Sequence, residues 1–246
     1  MNGLTQALLL PDWPAPASVR ACVTTREGGV SRPPYDTFNL GDHVGDDPVA
    51  VAENRRRLSD AFAIRPAWLK QVHGVVVADA DPGRVDEADA SWTERPGIAC
   101  AVMTADCLPV LFCDRAGTRV AAAHAGWRGL AGGVLEATVD RLGVPADELL
   151  VWLGPAIGPG AFEVGPEVRD AFVATHPEAA DAFVPGERPG KLMADLYRLA
   201  RIRLAALGIT AVYGGGFCTV TDPRFFSYRR DPHGGRFASL IWLDPR

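Results

Sequence analysis

Short apolar runs bounded by glycine, proline and charged residues recur along the chain, and their length is typical of strands. They predict strands at 20–25, 97–103, 108–114, 119–124, 148–154, 211–217 and 237–243. Within 67–79 the pattern predicts two shorter strands separated at Gly74. The run at 97–103 contains no charged residue, which predicts a buried strand.

Apolar residues at helical spacing predict helices at 48–62, about 130–142, about 166–175 and 191–207. The first of these begins with Pro48, which suits a first helical position. The second is expected to end at Gly143. The last is the clearest amphipathic helix, and its apolar face consists of Met193, Leu196, Ala200, Leu204 and Leu207.

Strands and helices follow one another without strict alternation, which predicts an α+β (α/β) fold with mixed sheets. The chain shows no internal repeat and no obvious linker, so residues 1–246 are expected to form a single domain. Between the strand at 20–25 and the first helix lies a long irregular stretch rich in Gly, Pro and Asp. A loop of this length inside a domain is usually functional.

Composition excludes several classes of protein. The chain has 246 residues and a net charge of −5, so it lacks the basic surface of a general nucleic-acid binder. No apolar run approaches the roughly 18 residues that span a membrane, and residues 1–13 lack the basic start of a signal peptide. Five cysteines, an odd number, indicate reduced thiols and a cytoplasmic protein.

Three residues stand out as candidate metal ligands. His73 and His124 each lie at the end of a predicted strand, and Cys107 lies between two predicted strands. Two imidazoles and a thiolate would leave one tetrahedral position open, as in catalytic zinc sites. Their spacing is not a local metal-binding motif, and a histidine or a free cysteine is often only a packed core residue.

A second set of polar and cationic residues suits an anion such as phosphate. It comprises Arg26, Asn39, Arg128, Ser227 and Arg229. Arginines beside glycine turns and helix starts are typical of phosphate sites. For each arginine the alternative is a salt bridge to one of the many aspartates nearby.

Several blocks resemble the laccase-domain family of bacterial YfiH- and YlmD-like proteins, whose members are named polyphenol oxidase or purine nucleoside phosphorylase. The blocks include TTREGGVS, WLKQVHG, TADCLPVLF, AAAHAGWRGL, WLGPAIGPG and FFSYRRD, and they run from about residue 22 to 243. The resemblance implies one domain of mixed β-sheets packed together with helices outside. It also implies a zinc site formed by His73, Cys107 and His124, the catalytic residues of the family.

The resemblance implies phosphorolysis of adenosine, inosine and methylthioadenosine, together with deamination of adenosine. The partners would then be purine nucleosides and phosphate, bound by a monomer or a homodimer. The family is also linked to copper-dependent phenol oxidation and to editing of peptidoglycan precursors. Zinc is therefore the expected cofactor, with copper as the alternative.

The number of histidines argues against the copper-dependent oxidase activity of a multicopper laccase. A multicopper laccase holds its coppers mainly with imidazoles, and this chain has only five histidines. A cysteine hydrolase remains open, with Cys107 as nucleophile and His124 or His73 as base. A structural zinc site ranks last, because such sites usually have four protein ligands and only three candidates are present here.

Overall fold

The fold is built on two large β-sheets, seen in a computed structural model that describes residues 8–245. The expectation about a signal peptide rests partly on residues 1–7, which lie outside the described residues. In the described part the strands are β1 (Leu8–Leu9), β2 (Val19–Thr24), β3 (Arg65–Ala67), β4 (Leu69–Lys70), β5 (Val77–Asp79), β6 (Asp86–Glu87), β7 (Ala90–Thr93), β8 (Ile98–Thr104), β9 (Leu108–Asp114), β10 (Val120–Ala125), β11 (Leu149–Leu153), β12 (Glu163–Val164), β13 (Phe183–Pro185), β14 (Leu192–Ala194), β15 (Val212–Gly214) and β16 (Phe237–Leu243).

The helices lie between these strands. They are α1 (Pro48–Phe62), α2 (Trp127–Gly132), α3 (Val134–Leu142), α4 (Pro166–Val173) and α5 (Leu196–Ala206), with short 3-10 helices at Ala146–Glu148 and Pro177–Ala182. Among the described residues, none of these helices has the length and apolar character needed to cross a membrane.

Both large sheets are mixed. The first has the strand order β1-β2-β16-β8-β3, and the second has the order β15-β11-β9-β10-β7-β5. A small antiparallel sheet, β12-β14-β13, and the parallel pair β4-β6 complete the strands of the described chain.

The two large sheets pack face to face, and helices cover their outer faces. The shared core contains Val23, Val102 and Ile241 of the first sheet and Leu111, Cys113 and Leu150 of the second. On the outer face of the first sheet lies α1, which contributes Leu58. The outer face of the second sheet is covered by α3, α4 and α5. Burial of both faces explains the continuous apolar runs of β8, β9 and β16, and the predicted fold class is confirmed.

Two predicted helices have different bounds in the structure. The prediction of a helix over 191–207 is wrong for its first turn, because Leu192–Ala194 pairs as β14 with β12 and β13. The helix begins only after Asp195, whose side chain accepts a hydrogen bond from the backbone N–H of Arg198 at 3.0 Å. The helix expected at about 130–142 begins earlier, at Trp127, and is interrupted at Gly133, where φ is 103°.

The connection between β8 and β9 carries the chain from the first sheet to the second. In the first sheet Thr104 pairs with Phe237, and in the second sheet Leu108 pairs with Ala125. These four residues define what we term the site edge. The loops that begin or end at this edge therefore come together where the two sheets meet.

Candidate metal centre

Three side chains converge at the site edge. His73 lies in the loop after β4, Cys107 lies on the connection between β8 and β9, and His124 is the second-last residue of β10. Their candidate ligand atoms all lie within 4.8 Å of one another. The Sγ atom of Cys107 is 3.8 Å from Nε2 of His73, and the two imidazole ring centres are 4.7 Å apart.

Asp89 fixes the positions of both histidines through hydrogen bonds. Its carboxylate is fully buried and accepts hydrogen bonds from the backbone N–H groups of Val72 (3.2 Å), His73 (2.9 Å) and Gly74 (2.6 Å). A positive φ of 62° at His73 turns these three successive N–H groups toward one carboxylate. The same carboxylate lies 2.8 Å from Nδ1 of His124, which leaves Nε2 of that ring directed at the cluster.

The protonation of the cluster follows from its crowding. Burial disfavours the thiolate, but the imidazoles of His124 and His73 outweigh this effect and lower the pKa of Cys107 to about 6. Burial likewise disfavours the imidazolium of His124, but Cys107 and Asp89 raise the pKa of His124 to about 9. In the absence of a metal, the thiolate and imidazolium are therefore paired at neutral pH.

The donor set fits a zinc or copper ion. Thiolate and imidazole ligands bind both metals, whereas carboxylate and carbonyl oxygens suit magnesium and calcium. A tetrahedral ion with bonds of ~2.0–2.3 Å holds its ligands roughly 3.5 Å apart, which is close to the 3.8 Å between Cys107 and His73. His73 is exposed and His124 is buried, so one side of the cluster is open to solvent.

Because Gly126 has no side chain, it leaves room for the side chains of the cluster. A Cβ atom at this position would lie 2.7 Å from Cδ2 of His73 and 3.0 Å from Sγ of Cys107. Contacts this short require one of the two ligands to move.

We therefore expect Gly126→Ala to lower zinc affinity by ~10-fold or more, a loss similar to that from disturbing the support of a metal ligand. Zinc affinity is measured by competition with a chelating dye. Gly160→Ala is the matched control, because a Cβ atom there meets nothing within 4 Å. Unchanged zinc affinity in the Gly126 variant would contradict this account of the cluster.

Two of the predicted anion-binding residues line one cavity beside the cluster. Arg128 and Arg229 both border a cavity of about 280 Å³. Arg128 follows Gly126 by two residues, and the backbone N–H of Arg229 donates a 2.6 Å hydrogen bond to Asp106, the neighbour of Cys107. Trp127 also lines the cavity and directly follows Gly126, so the lining begins one residue from the glycine that borders the cluster, although none of the three ligands itself lines the cavity.

The other three predicted anion-binding residues are engaged within the protein. The guanidinium of Arg26 donates to the backbone oxygen of Asp36 at 3.0 Å and forms an ion pair with its carboxylate. The buried amide of Asn39 accepts hydrogen bonds from the N–H groups of Gly41 and Arg236 and donates to Gly41 and Asp46. Ser227 is 2% exposed, and its Oγ accepts a hydrogen bond from the N–H of Arg230.

Sequence reasoning missed four residues that shape this site, namely Asp89, Asp106, Gly126 and Arg236. The sequence gives little signal for Asp89, because it follows two other acids, Asp86 and Glu87. Only the structure shows that Ala88 and Ala90 on either side of it are fully buried. Arg236 directly precedes Phe237, one of the residues that define the site edge, and burial lowers the pKa of its guanidinium. No sequence signal pointed to Arg236.

The remaining histidines lie elsewhere. Among residues 8–245, the cluster of His73, Cys107 and His124 is the only group of three such ligands that could hold a metal ion. His43 and His176 lie near the carboxylates of Asp42 and Glu178, and His233 lies in an exposed turn. A larger cavity, of about 770 Å³, is lined by Val19 and Trp242 at the opposite end of the first sheet.

Comparison with known proteins places the chain in a defined group. The family described as multi-copper polyphenol oxidoreductase laccase matches residues 20–244. A protein named purine nucleoside phosphorylase from Pseudomonas aeruginosa is 73% identical over 238 residues, covering 96% of this chain and 98% of that protein. Purine nucleoside phosphorylase YfiH from Escherichia coli is 56% identical over 241 residues, with 96% and 98% coverage.

Solved structures agree with these sequence matches. A crystal structure of a Neisseria meningitidis protein superposes with a TM-score of 0.94 at 56% identity, covering 97% of this chain and 99% of that one. The crystal structure of YlmD from Geobacillus stearothermophilus gives a TM-score of 0.90 at 33% identity, with coverage of 97% and 96%.

Proposed function

The chain belongs to the family described as multi-copper polyphenol oxidoreductase laccase, and we propose its function on that basis. Within that family it acts as a zinc-dependent purine nucleoside phosphorylase, with adenosine, inosine and methylthioadenosine as substrates, and it also deaminates adenosine. The observation that carries this proposal is the cluster of His73, Cys107 and His124 beside a cavity lined by arginines. The names of the close relatives support it.

Each group at the site edge has a distinct role in phosphorolysis. A zinc ion held by the three ligands would supply a Lewis acid with one open position. Arg128 and Arg229 neutralise the phosphate and orient one of its oxygens toward C1′ of the ribose. That oxygen forms the new bond to C1′ as the bond from C1′ to the purine nitrogen breaks. The base leaves with the electron pair and takes up the proton that the hydrogen phosphate gives up.

Three other predicted residues support these groups. Arg26, Asn39 and Ser227 have their polar atoms engaged within the protein, so we assign them the task of holding the loops of the site edge. The short bond between Asp106 and Arg229 fixes the position of that arginine relative to Cys107.

The test is the phosphate dependence of product release from adenosine by the zinc-loaded protein, with the zinc content counted in the same sample. We expect about one zinc ion per chain, because the three ligands together hold a single ion. Adenine should be released only when phosphate is present, whereas inosine formed by deamination should not depend on phosphate. Adenine release without phosphate, or no turnover by protein that contains zinc, would contradict the phosphorylase assignment.

One observation favours a second candidate, a cysteine hydrolase. Asp89, His124 and Cys107 form a line of three in which the carboxylate orients the imidazole, and the imidazoles of His124 and His73 together lower the pKa of the thiol to about 6. This is the order of groups in nucleophilic cysteine catalysis. Editing of peptidoglycan precursors would suit such a site. The two candidates differ in their need for His73, which takes no part in the line of three.

A further inference from the structure

The cavity beside the metal cluster carries more positive charge than the two predicted arginines supply. Its lining includes four cationic side chains and two acidic ones: Arg128, Arg188, Lys191, Arg229, Glu163 and Glu167. Lys191 lies between the small sheet strands β13 and β14, a part of the chain that neither the metal cluster nor the two large sheets use.

One of these cations is already neutralised. The guanidinium of Arg188 forms an ion pair with Glu163, and the backbone N–H of Arg188 donates to the same carboxylate at 3.0 Å. The guanidinium of Arg229 donates to the backbone oxygens of Ala161 (3.2 Å) and Glu163 (3.3 Å), which fix its position, and it forms no ion pair within residues 8–245.

Two further cations of the lining form no ion pair within residues 8–245. Arg128 lies over the ring of Trp127 at 4.4 Å, and among the described residues its guanidinium has no ion pair. The half-buried Lys191 likewise has no bond to its ammonium group within residues 8–245. Glu167 is exposed and folds back against Gly165 at the cavity wall, and of the two carboxylates in the lining it is the one without an ion pair in the described chain.

We propose that Arg128, Lys191 and Arg229 together bind the inorganic phosphate, and that Lys191 sets its affinity while Glu167 opposes it. This proposal rests on the proposed function, since phosphate is the second substrate of a phosphorylase. Three cationic side chains around one cavity supply more positive charge than a singly charged anion requires. Their charge suits a doubly charged anion. A carboxylate on the same wall repels that dianion, so its charge sets an upper limit on phosphate affinity.

The experiment is calorimetric titration of the zinc-loaded protein with sodium phosphate, without nucleoside. Lys191→Met should weaken phosphate binding ~10-fold, the effect of losing one charged hydrogen bond. Lys191→Arg should restore most of the affinity, and Glu167→Gln should tighten binding a few-fold. Lys70→Met is the control, because Lys70 is exposed, pairs with Glu87 and does not line the cavity.

Several outcomes would overturn the proposal. Unchanged phosphate affinity in Lys191→Met would remove Lys191 from the site, and weaker binding in Glu167→Gln would show that its carboxylate does not face the ligand. A parallel titration with adenosine 5′-monophosphate distinguishes inorganic phosphate from a phosphate group carried by a substrate. If the protein binds this nucleotide but not inorganic phosphate, the cavity binds the phosphate group of a substrate and the proposal is wrong. The readout needs no turnover, so failure here is distinct from failure of the phosphorylase assignment.

Discussion

Replacing His73 with alanine should remove zinc and abolish phosphorolysis in the same protein. His73 is the exposed member of the three ligands, and the two that remain cannot hold a catalytic ion firmly. We expect the zinc content to fall from about one ion per chain to near zero, and kcat/KM to fall by ~10³-fold, the effect of losing several kcal/mol of transition-state stabilisation. Zinc is counted by mass spectrometry on the protein sample that is assayed.

The control for this experiment is His233→Ala. His233 lies in an exposed turn, where its backbone N–H donates to Asp231, and it does not belong to the cluster. Its replacement should leave zinc and turnover unchanged. A His73→Ala protein that has lost its zinc but keeps full phosphorolysis would refute the metal-dependent mechanism.

Thiol reactivity separates the phosphorylase from the cysteine hydrolase. In metal-free protein that keeps His73, Cys107 should react with iodoacetamide at a rate that falls as the pH drops through about 6, because the thiolate is then protonated. Three other cysteines, Cys22, Cys100 and Cys113, have pKa values raised to about 12 by burial and should stay unmodified. A covalent Cys107 adduct with an electrophilic substrate analogue in zinc-replete protein would favour the hydrolase.

The elements that sequence reasoning predicted best are those whose pattern is local. The strands at 108–114 and 237–243 and the helix at 48–62 have the predicted bounds, because apolar runs and a proline at the first helical position mark them directly. The first turn of the predicted helix at 191–207 is instead strand β14. That difference arises from pairing with β12 and β13, and helical spacing of apolar residues carries no information about distant partners.

The same limit applies to the site. His73 and His124 are candidate ligands because each lies at the end of a predicted strand, and Cys107 is one because it lies between two predicted strands. The structure brings their ligand atoms within 4.8 Å. The residues that support them lie far away in sequence. Asp89 is 35 positions from His124, and their contact exists only because β7 and β10 pair with Ala90 opposite Ala123. Lys191 reaches the cavity through a sheet whose existence the apolar pattern did not reveal.

Removing the carboxylate of Asp89 should have the largest effect on stability of any substitution at the site. Asp89→Ala leaves three backbone N–H groups and the Nδ1 atom of His124 without their acceptor. Unsatisfied buried donors cost ~1–3 kcal/mol each, and relaxation recovers part of that, so we expect the free energy of unfolding to fall by ~4 kcal/mol. Asp89→Asn keeps one oxygen acceptor and should lose about half as much.

The measurement is urea unfolding of the metal-free protein, which separates the fold from the metal. Asp60→Asn in α1 is the control, since Asp60 is an exposed partner of Arg56, and it should change stability by less than ~0.5 kcal/mol. Hydrogen bonds from His124, Gly74 and Val72 outweigh burial and lower the pKa of Asp89 below its ordinary value of 3.8. Its contribution is therefore complete above that pH and is lost as the pH falls below it.

Zinc binding gives this prediction a second readout, which a purely structural carboxylate would not move. Asp89 orients the ring of His124 and the loop of His73, so Asp89→Asn should weaken zinc affinity by ~10–100-fold even in variants that remain folded. Loss of stability with unchanged zinc affinity would assign Asp89 to the fold alone. Loss of both would mean that one buried carboxylate couples the packing of β7 against β10 to the geometry of the metal ligands, so that the site cannot be loosened without weakening the sheet beneath it.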